Sequence, residues 1–356
     1  MIKLILPKEE FLKKINYALH FTSTKISNIN YIQGIFLKGE KNIIHIYSTN
    51  LSYYFHTTVK TEKTEDFSLI IEPRKVIDFL NLLPPGKITL EINDKKINIK
   101  QGNINGEFPL IEGKDFPIPP KIEEKKQRIN TDFLLKNLPL VLFSTSNDES
   151  RPVLTGVNFL VEEDNILMVS TDGFRLSLLR LKKEIDIPSL IIPVSFLNEV
   201  LNFIKKEKEI DFFYSSEEKM IKIKTDDLEF FSRLIEGDFP PFEKVIPNQT
   251  TTSVELDKEE FLRNVKLVAI FSRDYSNIII LKIKKNGLFF QPKIDKQEKD
   301  ITNQEIKMKG EEIRIAFNYK FLLDLLNHIE EKNLIIELVR ADAPVVFKIK
   351  DNPDFL

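Results

Sequence analysis

The sequence contains no cysteine. That absence removes disulfide frameworks, thiolate zinc sites and cysteine nucleophiles at once. Long apolar runs are missing too: no stretch approaches the roughly 18 residues needed to cross a bilayer. The opening Met1-Ile2-Lys3-Leu4-Ile5-Leu6-Pro7 is too short for the apolar core of a signal peptide. The expectation is a cytoplasmic protein without a membrane partner. The four histidines, His20, His45, His56 and His328, are scattered along the chain. Neither the phosphate loop Gly-x-x-x-x-Gly-Lys-Ser/Thr, nor His-Glu-x-x-His, nor Gly-x-Ser-x-Gly occurs. No catalytic residue, metal ligand or cofactor is therefore assigned, and the chain reads as a protein that is not an enzyme. A carboxylate-based metal hydrolase stays open as a rival, because 54 Asp and Glu are available.

The 356 residues exceed the usual size of one hydrophobic core and point to two or three domains. A composition 42% hydrophobic and 30% charged fits a folded chain and argues against global disorder. The net charge of −2 neither favours nor excludes nucleic acid, since 52 basic residues can gather on one surface and 54 acidic ones on another.

Internal repetition decides the architecture. Lys8-Glu9-Glu10-Phe11-Leu12, Asp132-Phe133-Leu134-Leu135 and Lys258-Glu259-Glu260-Phe261-Leu262 each open an apolar helical pattern, their phenylalanines offset by 122 and 128 residues. A second helical pattern recurs at Val76-Ile77-Leu80, Phe196-Leu197-Val200-Leu201 and Phe321-Leu322-Leu325-Leu326. After each come two alternating strands: 88–92 and 97–100, 212–214 and 221–224, 334–339 and 347–350. Gly34 matches Gly156, Ser48-Thr49-Asn50 matches Ser170-Thr171-Asp172, and Leu110-Ile111-Glu112-Gly113 matches Leu234-Ile235-Glu236-Gly237. Landmarks in constant order imply three homologous α+β domains, each a two-layer helix and sheet unit. The Pro-rich segment 117–120 and the polar segment 247–252 place the edges, giving domains 1–120, 121–247 and 248–356. Repetition alone does not choose between beads, an open solenoid and a closed ring.

Arg151-Pro152-Val153-Leu154-Thr155-Gly156-Val157, followed by Val169-Ser170-Thr171-Asp172-Gly173-Phe174-Arg175-Leu176-Ser177, resembles the signature of the bacterial DNA polymerase III beta subunit, the sliding-clamp family. Glu236-Gly237-Asp238-Phe239-Pro240, ending in Val245-Ile246-Pro247, resembles the segment that closes that family's middle domain. The resemblance implies a head-to-tail homodimer whose six domains form a pseudo-sixfold ring around double-stranded DNA, with helices lining the hole. It also implies a replicative processivity role, sequence-independent DNA contact, and recruitment of the polymerase III catalytic subunit. Other polymerases and repair proteins bearing a clamp-binding motif are further implied partners. With no nucleotide site of its own, such a ring needs a separate ATP-driven loader.

Residue by residue, the resemblance assigns a hydrophobic peptide pocket to Leu154, Thr171, Gly173, Phe174, Arg175, Leu176, Pro240, Lys244, Val245 and Pro344. Read without it, Thr171-Asp172-Gly173 is a hairpin turn, and a turn can also carry a site. Candidate DNA-facing charges are Lys13, Lys14, Lys25, Arg74, Lys75, Lys136, Arg151, Lys205, Lys206, Arg263, Lys266 and Lys320. Asp148 and Glu149, beside Arg151, would repel phosphate. Phe108 on one chain and Ile270 with Phe271 on the other match the family's apolar dimer contact; their alternative role is packing in a domain core. Family members commonly continue past the position of Asn352-Pro353-Asp354-Phe355-Leu356 into a strand ending in a Met-Pro-x-Arg-like tail that adds to the pocket. The sequence stops short of it: either the chain is truncated or the clamp is naturally short with a shallower pocket, and Pro344 is the contributor left from the last domain. This and the acidic pair motivate a second reading, a divergent clamp-fold scaffold that does not encircle DNA.

Overall fold

Strand, helix, strands, helix, strands is the order met three times along the chain in a computed structural model. It describes residues 2–24, 29–62, 65–113, 115–123, 126–183, 186–294, 299–350, 352 and 354–356. The first copy runs from Ile2–Pro7 through α1 (Lys8–Leu19), four strands, α2 (Pro73–Leu82) and three further strands. The second begins at Gln127–Asn130, passes α3 (Thr131–Asn137) and α4 (Pro139–Leu142), and after four strands and α5 (Val194–Ile204) ends in three strands. The third contains Thr252–Asp257, α6 (Lys258–Ser272), α7 (Tyr319–His328) and the closing strands Asn333–Leu338 and Val346–Ile349.

Local chemistry explains the helix ends. Asp257 caps α6 by accepting from the Glu260 amide at 2.9 Å, and Asn318 caps α7 by accepting from Lys320 at 3.1 Å. Glu72 does the same for α2, whose first residue is Pro73. The expected single helix after Phe133 is instead two pieces. Proline has no amide hydrogen and its ring crowds the carbonyl four residues back, so α3 stops short of Pro139 and α4 restarts there.

The chain divides into two compact units, residues 1–133 with 195–234, and residues 134–194 with 235–356. In the first, Ile2–Pro7, Lys87–Ile92, Lys96–Gln101 and Ile104–Pro109 form an antiparallel sheet in that order. A second sheet has eight strands, because Tyr53–Lys60 of the first copy pairs with Leu228–Arg233 of the second, with Phe55 opposite Phe230 and His56 opposite Glu229. One sheet per domain is thus too simple: each copy builds two, and one from each of the first two copies merge. Phe11, Ile15 and Ala18 put one stripe of α1 into this unit's core, where Phe21 stacks on Phe55 at 5.3 Å and touches Phe230.

The second unit holds three four-stranded sheets. In one of them Leu190–Pro193, Gly156–Val161, Asn165–Thr171 and Leu176–Lys182 are neighbours in that order. In the third copy, Phe261 of α6 packs against Phe290, ring centroids 5.6 Å apart.

The matched glycines share a physical cause. A Cβ on Gly34 would stand 2.5 Å from Ile70 Cγ2 and 2.8 Å from the Ile71 carbonyl oxygen. On Gly156 it would stand 2.7 Å from both Ile191 Cγ2 and the Ile192 carbonyl oxygen. Both backbones are in ordinary negative-φ conformations, so close strand approach rather than backbone freedom demands glycine.

Candidate peptide-binding groove

The groove starts from a turn that the sequence repeats. Thr171 Oγ1 donates to the Arg175 carbonyl at 2.6 Å and accepts from the Gly173 amide at 3.0 Å. Asp172 Oδ1 accepts from the amides of Phe174 and Arg175 at 2.9 and 3.0 Å. In the first copy Thr49 bonds Tyr53 and Leu51 in the same way, and Asn50 bonds Ser52 and Tyr53. The matched Ser-Thr-Asx triplets therefore encode one four-residue turn. Its left-handed position carries Gly173 at φ +92° in the second copy and Leu51 at +75° in the first.

This turn directs two side chains differently. Phe174 remains 84% exposed, its ring stacked over Phe321 of α7 at 6.5 Å. Arg175 folds inward: Nε lies 3.0 Å from Asp172 Oδ2 and Nη1 2.6 Å from Asp324 Oδ2. Its guanidinium also sits 4.6 Å from the Phe321 ring centroid and 5.7 Å from that of Phe143. Phe143 in turn stacks on His328, whose Nδ1 is 2.7 Å from the Asp324 carbonyl oxygen.

Around these groups lies a hollow of about 670 Å³, lined by Leu154, Leu176, Pro240, Val245 and Leu322 among other mostly apolar residues. A space of this size with few polar groups suits aliphatic or aromatic anchors of an extended segment. The charged side chains in its lining, among the described residues, are Arg175 and Asp342. Arg175 is matched by two carboxylates. Asp342 is matched by Arg340 at 2.7 Å, whose hydrogen bond holds its carboxyl below the usual range.

The structure brings Leu154, Thr171, Gly173, Phe174, Arg175, Leu176, Pro240, Val245 and Pro344 together in this lining. Lys244 is exposed on the short turn Phe242–Val245 and is not part of it. The expected loss of C-terminal residues from the pocket is corrected. Leu178 and Leu356 exchange amide-to-carbonyl bonds at 2.7 and 2.9 Å, and the Arg180 amide donates to the Asp354 carbonyl at 2.9 Å. Phe355 and Leu356 thereby join the lining, alongside Phe143, Phe321, Leu325 and Phe347, which sequence reasoning also missed. For α7 the signal is the repeated helical pattern of Phe321, Leu322 and Leu325, which by itself does not separate a groove wall from core.

Lys13, Arg74, Lys75, Lys136, Arg151, Lys205, Lys206, Arg263, Lys266 and Lys320 are exposed, and all but Arg151, Lys205 and Lys206 lie within helices. Lys14 is a correction: it is buried, with Nζ donating to the Thr58 carbonyl at 2.5 Å and 3.3 Å from Glu10. Spaced three and four residues from Phe11 and Ala18, it shares their inward face. Lys25 lies outside the described residues. Arg151 Nε is 3.2 Å from Asp148 Oδ2; hydrogen bonds from Ser150, and then Arg151, hold that carboxyl below its usual range.

Ile270 and Phe271 are not core residues: they stand 56% and 47% exposed on α6, beside exposed Leu267 and Tyr275. Phe108, on the outer strand Ile104–Pro109, is half-buried edge-on against Phe79 at 5.4 Å. Among the described residues, no three or more His, Cys, Asp or Glu are grouped to hold a metal ion, and no helix is long and apolar enough to cross a membrane.

Three repeated α+β domains, with an apolar groove lined by residues of the second and third, define the class of the chain. Its family follows from comparison with known proteins. Residues 2–120, 128–241 and 243–356 match the N-terminal, central and C-terminal domains of the DNA polymerase III beta subunit. The chain belongs to that family. It is 24% identical to the beta sliding clamp of Halalkalibacterium halodurans, across 99% of this chain and 97% of the relative. It is 27% identical to that of Bacillus subtilis, across 79% and 76%. Among solved structures it is similar to the DNA polymerase III beta chain of Streptococcus pneumoniae, with TM-score 0.92, 21% identity and coverage of 100% and 98%. The Bacillus subtilis sliding clamp gives 0.88, 23%, 99% and 97%.

Proposed function

We propose that the chain is a replicative sliding clamp, a non-catalytic cytoplasmic processivity factor that closes as a head-to-tail dimer around duplex DNA. Polymerase III and other motif-bearing polymerases and repair proteins are tethered by a short apolar segment seated in the groove. A separate ATP-driven loader opens the ring. The domains run 1–120, 121–247 and 248–356.

The observation that carries this reading is the groove itself, assembled on a beta-subunit chain from eight residues of the family-like motifs together with Pro344. Exposed helical cations support the DNA role. Lys and Arg contacts to phosphate are independent of sequence, so they attract the duplex without fixing a register and permit sliding. Retention then comes from closure of the ring. Exposed Ile270 and Phe271, and the outer strand bearing Phe108, supply an apolar contact and an open sheet edge for the partner copy.

Sedimentation equilibrium at several concentrations tests the assembly. The expected mass is twice that of the 41.6 kDa chain; a monomer throughout the micromolar range contradicts a stable ring.

A further inference from the structure

Asp324 holds no place in the lining of the groove, yet from α7 it accepts a hydrogen bond from Arg175, 149 positions earlier in the chain. Arg175 belongs to the turn after Asn165–Thr171, while Asp324, Phe321 and Leu325 belong to α7. Both elements contribute to the lining of one hollow, and Arg175 is held from both. Asp172 takes Nε from the turn side at 3.0 Å, and Asp324 takes Nη1 from the helix side at 2.6 Å.

We propose that Asp324 is a positioning residue of the peptide groove: by anchoring Arg175 it locks the turn wall to the helix wall at the spacing a bound segment requires. The inference rests on the groove reading above. Planarity is essential to the lock. Nε and Nη1 of one guanidinium bond the two carboxylates while its Cζ stands over the Phe321 ring, 4.6 Å from the centroid, a combination a lysine ammonium cannot reproduce. The 84%-exposed Phe174 ring stacks on that same Phe321 ring at 6.5 Å. The Asp324 side chain is itself 46% exposed, so the bond adds little to global stability, and its consequence is local order. Without it, the groove samples other wall spacings, and apparent affinity falls in proportion to the fraction of chains that keep the binding shape.

The test measures a fluorescein-labelled Ser-Leu-Ser-Leu-Phe peptide by anisotropy against the full chain and four variants, with urea unfolding recorded for each. Val245→Arg, at a 52%-exposed position in the lining, blocks the groove and serves as the control. The expected result is that Asp324→Asn weakens the peptide about tenfold while its unfolding midpoint stays at the unsubstituted value. Asp324→Glu, which keeps the charge, restores most of the affinity, and Arg175→Lys, which keeps the charge but loses the plane, does not. If the unsubstituted chain fails to bind, or Val245→Arg binds equally well, the groove reading falls and this inference with it. If Val245→Arg blocks binding but Asp324→Asn binds unchanged, the groove reading stands and the positioning role is overturned. Loss of affinity matched by a lowered unfolding midpoint also overturns it, as a merely structural role.

Discussion

His56 Nδ1 donates a hydrogen bond to Glu229 Oε2 at 2.7 Å, across the strand pairing that merges the sheets of the first and second copies. The surrounding row is polar: Tyr47 stacks on His56 at 4.4 Å, His45 Nδ1 is 3.0 Å from His56 Nε2, and the Lys224 ammonium is 3.2 Å from Glu229. Burial works against a charge on Glu229, but the His56 hydrogen bond and charge, with Lys224, outweigh it and hold the carboxyl at about 2. Burial, and then His56, pushes the His45 imidazole below its usual 6.5.

Both shifts have the same sign for stability. The Glu229 contribution is present above pH 4.5 and is lost as pH falls from there toward about 2. The His45 contribution is present above 6.5 and declines as pH falls below it, because the unfolded chain takes up the proton first. Urea unfolding should therefore show a midpoint that falls as pH drops below 6.5 and falls again from pH 4.5 toward about 2. Glu229→Gln should cost about 2 kcal/mol at pH 7 and flatten the acid limb; an unchanged slope in the variant would count against the seam.

Lys13 and Lys14 are neighbours with opposite fates, and substitution should separate them. Lys14→Ala removes the buried bond to the Thr58 carbonyl and should lower stability by about 1–2 kcal/mol. Lys13→Ala should leave stability within about 0.5 kcal/mol while weakening duplex DNA binding at low salt. Chemical unfolding paired with anisotropy on a DNA duplex reads both; equal stability losses would contradict the assignment.

Gly156→Ala should destabilise the chain by about 1–3 kcal/mol, since the added methyl meets Ile191 and the Ile192 carbonyl with no room to yield. Urea titration of the variant measures it, and a neutral result would mean that the strands separate easily there.

What the sequence makes legible is what repeats locally. The helix openings at Phe11, Phe133 and Phe261, the crowded Gly34 and Gly156, and the Ser-Thr-Asx turns all act through neighbours within the same copy, so their spacing shows. Periodicity also places Lys14 inward, three residues from Phe11 and four from Ala18, against the outward preference of its charge. The merger of Tyr53–Lys60 with Leu228–Arg233 was not legible, because alternation marks a strand without naming its partner. Asp324 was hidden for a similar reason: its local pattern is that of a solvent-side helix residue, and its partner lies 149 positions away. Phe355 and Leu356 escaped notice because their role depends on main-chain bonds to Leu178 rather than on a side-chain motif.

Phe271→Asp places a carboxylate in the proposed contact between copies, at a position 47% exposed in one chain. Burying that charge unpaired is unfavourable by several kcal/mol, so the variant should sediment as a monomer at concentrations where the unsubstituted chain is a dimer. Its unfolding should be nearly unchanged. A variant that stays dimeric would move the interface elsewhere.

Encirclement of DNA is tested most directly by loading the protein onto nicked circular duplex with an ATP-driven loader, filtering at raised salt, and then cutting the circle once. A topological ring should stay with the circle at salt concentrations that abolish simple phosphate binding, and should be released when the DNA is made linear. Retention on the linear form, or loss from the intact circle at the same salt, would contradict the account.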